Sequence, residues 1–182
     1  CKGHDGQVGL FCVGDGETYN VPVEMAETRY GIRVDEHSLH TDGAGAGEYR
    51  GGSGAVRVYR SMNENQTFTA SFGRNKWPVW GAAGGKDGSV NYFQFIDADG
   101  IVSEPMGIAA RRVMNTNDVV RMVTATGGGY GNPFKRPAEK VAMDVKNEYI
   151  TVEQAKADYG VLVDPETFKV LGLTEERQKA EK

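Results

Sequence analysis

A mainly β fold, either a β-sandwich or an irregular barrel with Gly-rich corner loops and one short C-terminal helix, is predicted by three observations. Short segments with period-2 alternation, rich in β-branched and aromatic residues, recur along the 182-residue chain. Gly-rich stretches stand between them: six glycines lie within 41–54, and further groups at 81–88 and 126–131. A full set of helix start and stop signals occurs once, at 151–160.

Taken in order, Val-Gly-Leu-Phe-Cys-Val at 8–13 is an apolar run, and Gly-Asp-Gly-Glu at 14–17 has turn chemistry, which predicts a hairpin. Pro22 removes a donor and keeps Val21 extended, so 18–24 is expected to be an edge or irregular segment. It leads into a helical turn at 25–29, where Glu24 and Glu27 would share a solvated face. Ile32, Val34, Glu36 and Ser38 alternate with Arg33, Asp35, His37 and Leu39, giving a strand over 32–40. Residues 55–62 read as a half-buried strand, 63–65 as a turn, and 67–72 as a strand expected to pair with the one before it. After Trp77-Pro-Val-Trp80, Pro78 and the following glycines break regular structure. Residues 92–96 form a strand, Asp97-Ala-Asp-Gly100 a tight turn, and 101–103 the start of a return. Another strand, 118–124, runs into the Gly stretch 126–131. Residues 141–145 read as a strand; Thr151 and Gln154 have capping-box spacing for a helix that Gly160 stops. A last short strand, 161–163, precedes the Asp164-Pro-Glu turn. Residues 1–173 are expected to form a single β-rich domain and 174–182 a charged tail, solvated or frayed.

The formal net charge of -4, with Lys and Arg scattered, gives no electrostatic footprint for nucleic acid or an anionic membrane. No apolar run approaches the roughly 18 residues needed to span a bilayer, and the first residues lack a signal-peptide layout. A cytoplasmic protein is expected, with Cys1 and Cys12 as free thiols. A chain that starts at Cys1 and goes straight into apolar alternation reads as a fragment or a processed product.

Glycine loses more backbone entropy on folding than any other residue, so clusters of it point to places of close backbone approach. Gly43, Gly45, Gly47, Gly51, Gly52, Gly54, Gly127, Gly128, Gly129 and Gly131 are therefore assigned to ordered structural loops. Asp42, Glu48, Tyr49 and Arg50 can tie the first loop down. Asp42 and Arg50 are the catalytic candidates, a guanidinium on an ordered loop being able to grip a carboxylate; an internal Asp42–Arg50 pair is the simpler reading. Gly81-Ala-Ala-Gly-Gly-Lys86-Asp87 falls one residue short of a P-loop and has Asp at the magnesium-ligand position, so structural corners are favoured over a phosphate cradle. His37 and His40 point to opposite faces of a strand and are weak metal candidates, as is Cys1-x-x-His4 with Asp5 and Cys12. Ser53 lacks a nucleophile-elbow context and reads as a turn residue.

Pro22-Val-Glu24, Glu27-x-Arg29-Tyr-Gly-Ile-Arg-Val34, Asp42-Gly-Ala-Gly-Ala-Gly-Glu-Tyr-Arg50-Gly-Gly-Ser-Gly54, Gly84-Gly85, Gly127-Gly-Gly-Tyr-Gly-Asn-Pro133 with Arg136, and Tyr159-Gly160-Val161 together resemble the C-terminal part of the hydantoinase B/oxoprolinase family, over about residues 17–163. The resemblance implies part of an ATP-dependent, hetero-oligomeric enzyme that hydrolyses cyclic amides or carboxylates ketones. It implies a hydantoinase A-like partner carrying the nucleotide site, the remainder of a hydantoinase B-like subunit, a divalent metal for the complete enzyme, and an inactive isolated chain. Neither ATP nor metal is assigned to residues of this chain. Gly43-Ala44 departs from the Asp-Ser-Gly-Gly variant of the loop, so no role of that hydroxyl carries over. Two rivals are a purely structural assembly domain and a ligand-binding β-sandwich with Trp77, Trp80 and Tyr130 as its platform.

Overall fold

A computed structural model describes residues 3–7, 21–41 and 43–180. The segment expected as a hairpin at 8–17, together with Cys1, Cys12 and Asp42, lies outside the described residues. Helix α1 (Val23–Tyr30) extends the expected helical turn; Gly31, in the left-handed conformation at φ 61°, ends it. Strands β1 (Ile32–His40), β2 (Gly54–Ser61), β4 (Tyr92–Ile96) and β6 (Val119–Val123) form one antiparallel sheet in the order β1-β2-β6-β4. Its register runs from Ile32 opposite Ser61 to His40 opposite Gly54, with a shift between Val34 and Glu36.

Strands β3 (Gln66–Ser71) and β5 (Ile108–Met114) make a second antiparallel sheet. It packs against the first through Phe68, Ala109 and Met114, which meet Phe93, Phe95 and Val120. The Phe68 ring stands edge-on to Phe93 and Phe95 at 5.6 and 5.4 Å, a favourable aromatic arrangement. The result is a mainly β, sandwich-like body; none of the described sheets closes into a barrel. The expected β2–β3 hairpin is corrected, because β2 already pairs with β1 on one edge and β6 on the other. The chain leaves the sheet at 62–65 and crosses to the second layer, where Phe68 reaches the phenylalanines of β4. The expected return strand at 101–103 is a single bridge from Val102 to Ile96, and the partner of β4 is β6.

The C-terminal third is more helical than its sequence suggested. Residues 141–145, expected as a strand, belong to helix α2 (Ala138–Lys146): Ala138, Val141, Ala142 and Val145 fall at helical spacing and face the core. Helix α3 (Val152–Tyr159) has the expected capping box, with Gln154 N donating to Thr151 Oγ1 and Thr151 N to Gln154 Oε1, and stops at left-handed Gly160. Strands β7 (Val161–Val163) and β8 (Val170–Leu173) pair beside these helices. The tail is corrected as well: Glu175–Ala180 is a helix, α4, anchored by buried Arg177.

Between the sandwich and the helices, the Gly-rich stretches lie side by side. Gly45 N donates to Gly127 O at 2.9 Å and Gly127 N to Gly52 O at 2.8 Å. Tyr49 and Tyr130 exchange backbone hydrogen bonds at 3.0 and 2.9 Å. A third segment joins through Ala82 N to Gly129 O and Gly129 N to Lys86 O, both 2.9 Å. Thr126, fully buried, donates its hydroxyl to Gly43 O and accepts from Ser89 N, binding the segments at one end. A Cβ on Gly51 would sit inside the carbonyl of Gly127, and one on Gly129 inside the carbonyl of Ala46. Both obstacles are backbone, which no rotamer change can clear. Gly51→Ala is therefore expected to cost about 1–3 kcal/mol or more of stability, read from the urea midpoint, whereas Gly73→Ala, whose Cβ would meet nothing within 4 Å, should stay within about 1 kcal/mol of wild type.

Candidate functional site

The charged residues that converge most closely sit where the glycine layer meets helix α2. Arg136 follows the second Gly stretch and is only 1% exposed. Its guanidinium grips Asp5 with two bonds, Nη1 to Oδ1 at 2.6 Å and Nη2 to Oδ2 at 3.0 Å. Nη1 also donates to Glu48 O at 3.0 Å, and Nη2 lies 2.8 Å from Asp144 Oδ2. Asp144 occupies the buried face of α2, between Val141 and Val145. Arg50 comes to the same carboxylate from the first loop, its Nε 3.6 Å from Oδ2. The Arg50 guanidinium stacks on the Tyr149 ring at 4.3 Å, and its Nη1 donates to Gly51 O. Its backbone N–H donates to Asp5 Oδ1 at 2.8 Å. Arg177 of α4 closes the assembly by donating to the carbonyls of Tyr159 and Arg136.

Burial sets the electrostatics. Asp144 is pushed above the usual carboxylate range by burial, against the opposing pull of Arg136 and Arg50. Burial also pushes Asp5 up, but the Arg136 hydrogen bond and charge, with the Arg50 N–H, hold it below its ordinary value. Tyr159 is pushed up to about 12 by burial and stays a neutral phenol. Two buried cations converge on Asp144, so this carboxylate ties helix α2 to the loops.

Among the described residues, the carboxylate beside Arg50 is Asp144. The other catalytic candidate, Asp42, lies outside the described residues. His37 is exposed, and His40 donates from Nδ1 to Thr124 O at 2.9 Å; the two do not share a ligand set. Among the described residues, no three His, Cys, Asp or Glu side chains come together to hold a metal. The glycine loops offer no open phosphate cradle at Gly45, Gly51, Gly127, Gly129 and Gly131, since each of these N–H groups already donates to a backbone carbonyl. Gly43 and Gly131 take positive φ, 76° and 79°. Gly47, Gly52, Gly54 and Gly128 face the backbones of Tyr130, Gln7, Thr124 and Trp80. The amides of Gly45, Gly51, Gly127, Gly129 and Gly131 therefore leave no free donors for a phosphate. Tyr130 pairs with Tyr49 at a ring separation of 6.3 Å, while Trp77 and Trp80 are exposed.

Sequence reasoning passed over Asp144 and Arg177, and considered Asp5 only within a weak metal set. Asp144 did leave a signal, as the one acid on an apolar helical face, a position that requires a buried cation. Asp144→Asn would take the nearby carboxylate from buried Arg50 and leave Arg136 with Asp5 alone, and is expected to cost about 3–5 kcal/mol. The folded-state pKa of Asp5 is depressed, so its stabilisation is present above the unfolded value near 3.9 and is lost as pH falls through the folded value. Asp5→Asn should accordingly lower stability near neutral pH and flatten the acid decline below about pH 4, followed by chemical unfolding across pH. An unaltered acid limb would contradict the assignment.

Residues 1–133 match the family model of hydantoinase B/oxoprolinase. The B subunit of a putative D-/L-hydantoinase of Pseudomonas sp. (strain NS671) is 32% identical over 148 residues, covering 80% of this chain and 25% of that protein. The beta subunit of caprolactamase of Pseudomonas jessenii is 30% identical over 158 residues, covering 78% of this chain and 25% of the relative. Among solved structures, the ATP-dependent caprolactamase from Pseudomonas jessenii superposes with a TM-score of 0.68 at 29% identity, over 87% of this chain and 27% of that one. Nucleotide-free acetone carboxylase shares the fold, with a TM-score of 0.75 at 17% identity over 97% of this chain and 28% of that one. The chain spans about a quarter of the length of the relatives it matches. It belongs to the hydantoinase B/oxoprolinase family.

Proposed function

We propose that the chain is a section of a subunit of an ATP-dependent enzyme that opens cyclic amides of the hydantoin, oxoproline or lactam type. The observation that carries this reading is the agreement of sequence and structure on one relative: caprolactamase is similar at 30% identity in sequence and at a TM-score of 0.68 in structure. The ketone-carboxylating neighbour shares the fold at 17% identity, which lends less weight to carboxylation. The relatives named as B and beta subunits favour a hetero-oligomer, with a hydantoinase A-like partner and the remainder of the hydantoinase B-like subunit. In this reading, ATP and a divalent metal bind outside this section, and the complete enzyme is cytoplasmic.

Within that enzyme, the section serves as a rigid platform. Arg50 and Arg136 are buried and paired, and the glycine amides are engaged with one another. The assembly therefore holds a shape against which the reacting parts of the enzyme are set.

The complete subunit, reconstituted with a hydantoinase A-like partner, is expected to release ADP in step with ring opening of hydantoin, 5-oxoproline or caprolactam. Bicarbonate-dependent consumption of acetone or acetophenone, with no ring opening, would move the assignment to ketone carboxylation. Arg50→Ala is expected to lower thermal stability and the yield of assembled complex together. Lost turnover in a complex of unchanged stability and assembly would instead give Arg50 a direct part in the chemistry.

A further inference from the structure

Trp77 and Trp80, the only tryptophans of the chain, are 73% and 74% exposed. The loop that bears them is fixed from behind. Gly88 N donates to Val79 O at 2.8 Å and Gly81 N to Asp87 Oδ1 at 2.8 Å. Ala82 and Lys86 bond to Gly129 on the glycine layer, and Lys86 pairs with Asp158 of α3 at 2.5 Å. Pro78 further restricts the backbone between the two indoles. Both indoles thus project from an ordered edge, and binding them would cost little conformational entropy.

Two exposed cations, Arg74 and Lys76, precede the indoles, while Asp87 on the far side of the loop accepts from Gly81 N. The Arg74 guanidinium lies 6.0 Å from the Trp80 ring, and Arg74 and Lys76 are both exposed. Rigid aromatic anchors with a polar rim are the composition of an interface hot spot. We propose that this loop seats a segment of the same subunit that lies outside the 182 residues, one that packs apolar side chains on Trp77 and Trp80 and sets Asp or Glu against Arg74 and Lys76. Length and charge support this occupant. The matched stretch is 25% of each relative, so most of such a subunit lies beyond this chain. That material would be covalently linked and so present at high effective concentration, and Arg74 and Lys76 call for acidic groups on it. The inference rests on the reading of the chain as part of a longer subunit.

Hydroxyl-radical footprinting of the full-length subunit, with and without its hydantoinase A-like partner, tests it by peptide mapping. The expected result is loss of oxidation at Trp77 and Trp80 in the subunit alone, with a carbodiimide cross-link from Lys76 to an Asp or Glu outside this chain. Free oxidation of both indoles in subunit and complex overturns the proposal. So does protection that appears only on adding the partner, which would assign the loop to the contact between subunits. The footprint needs no turnover: protection in a subunit that opens no ring would separate failure of the enzymatic reading from failure of this one.

Discussion

Direct backbone-to-backbone contact between glycine segments is the constraint on which the structure depends. Gly45, Gly51, Gly127 and Gly129 bring carbonyls and amides from three distant parts of the sequence within hydrogen-bonding reach. That approach is possible only where no Cβ stands in the way, as at Gly51 against Gly127. The high entropic cost of ordering glycine is met by hydrogen bonds formed away from water and by the two structural blocks on either side. From the sandwich side, β1, β2 and β6 deliver the ends of the loops. From the other, Ala46 inserts into the core formed by Val141, Val145, Ala155 and Tyr159.

The ionic network secures that arrangement. Asp5, Arg50, Arg136, Asp144 and Arg177 belong to five separate stretches of chain, and each contact joins two of them. Buried ion pairs add little net stability over apolar packing, but removing one partner is costly because a charge is left stranded. Such a network selects one docking of helices on loops over the alternatives an apolar contact would allow.

Much of this was legible in the sequence, with limits that have physical causes. Strand β1 alternates over its first residues, and α3 carries both halves of its capping box and a stop glycine, so both were read correctly. The clustered glycines announced ordered close approach, but not that the segments would bond to each other, since the partners lie about 80 positions apart in pairs such as Gly45 and Gly127. The alternation of β3 specified a pleat without specifying its partner, and β5 was missed because Arg111 and Arg112 interrupt its apolar pattern and Arg111 takes a φ of 51°. Residues 141–145 span too short a window to separate a helix from a strand; adding Ala138 restores the helical period. Charge counting made 174–182 a tail, although Arg177 turns inward to bond two carbonyls. The contact of Arg50 with Asp144 was not legible locally, because the fold alone brings the two together.

Amide hydrogen exchange at Gly45, Gly127, Gly129 and Gly131 in the full-length protein tests the glycine-layer account most directly. If these amides bond as described, they exchange as slowly as Val120 and Val123 in the buried strand β6, opening only with the body of the protein. Exchange at the rate of an open loop while β6 remains protected would contradict it.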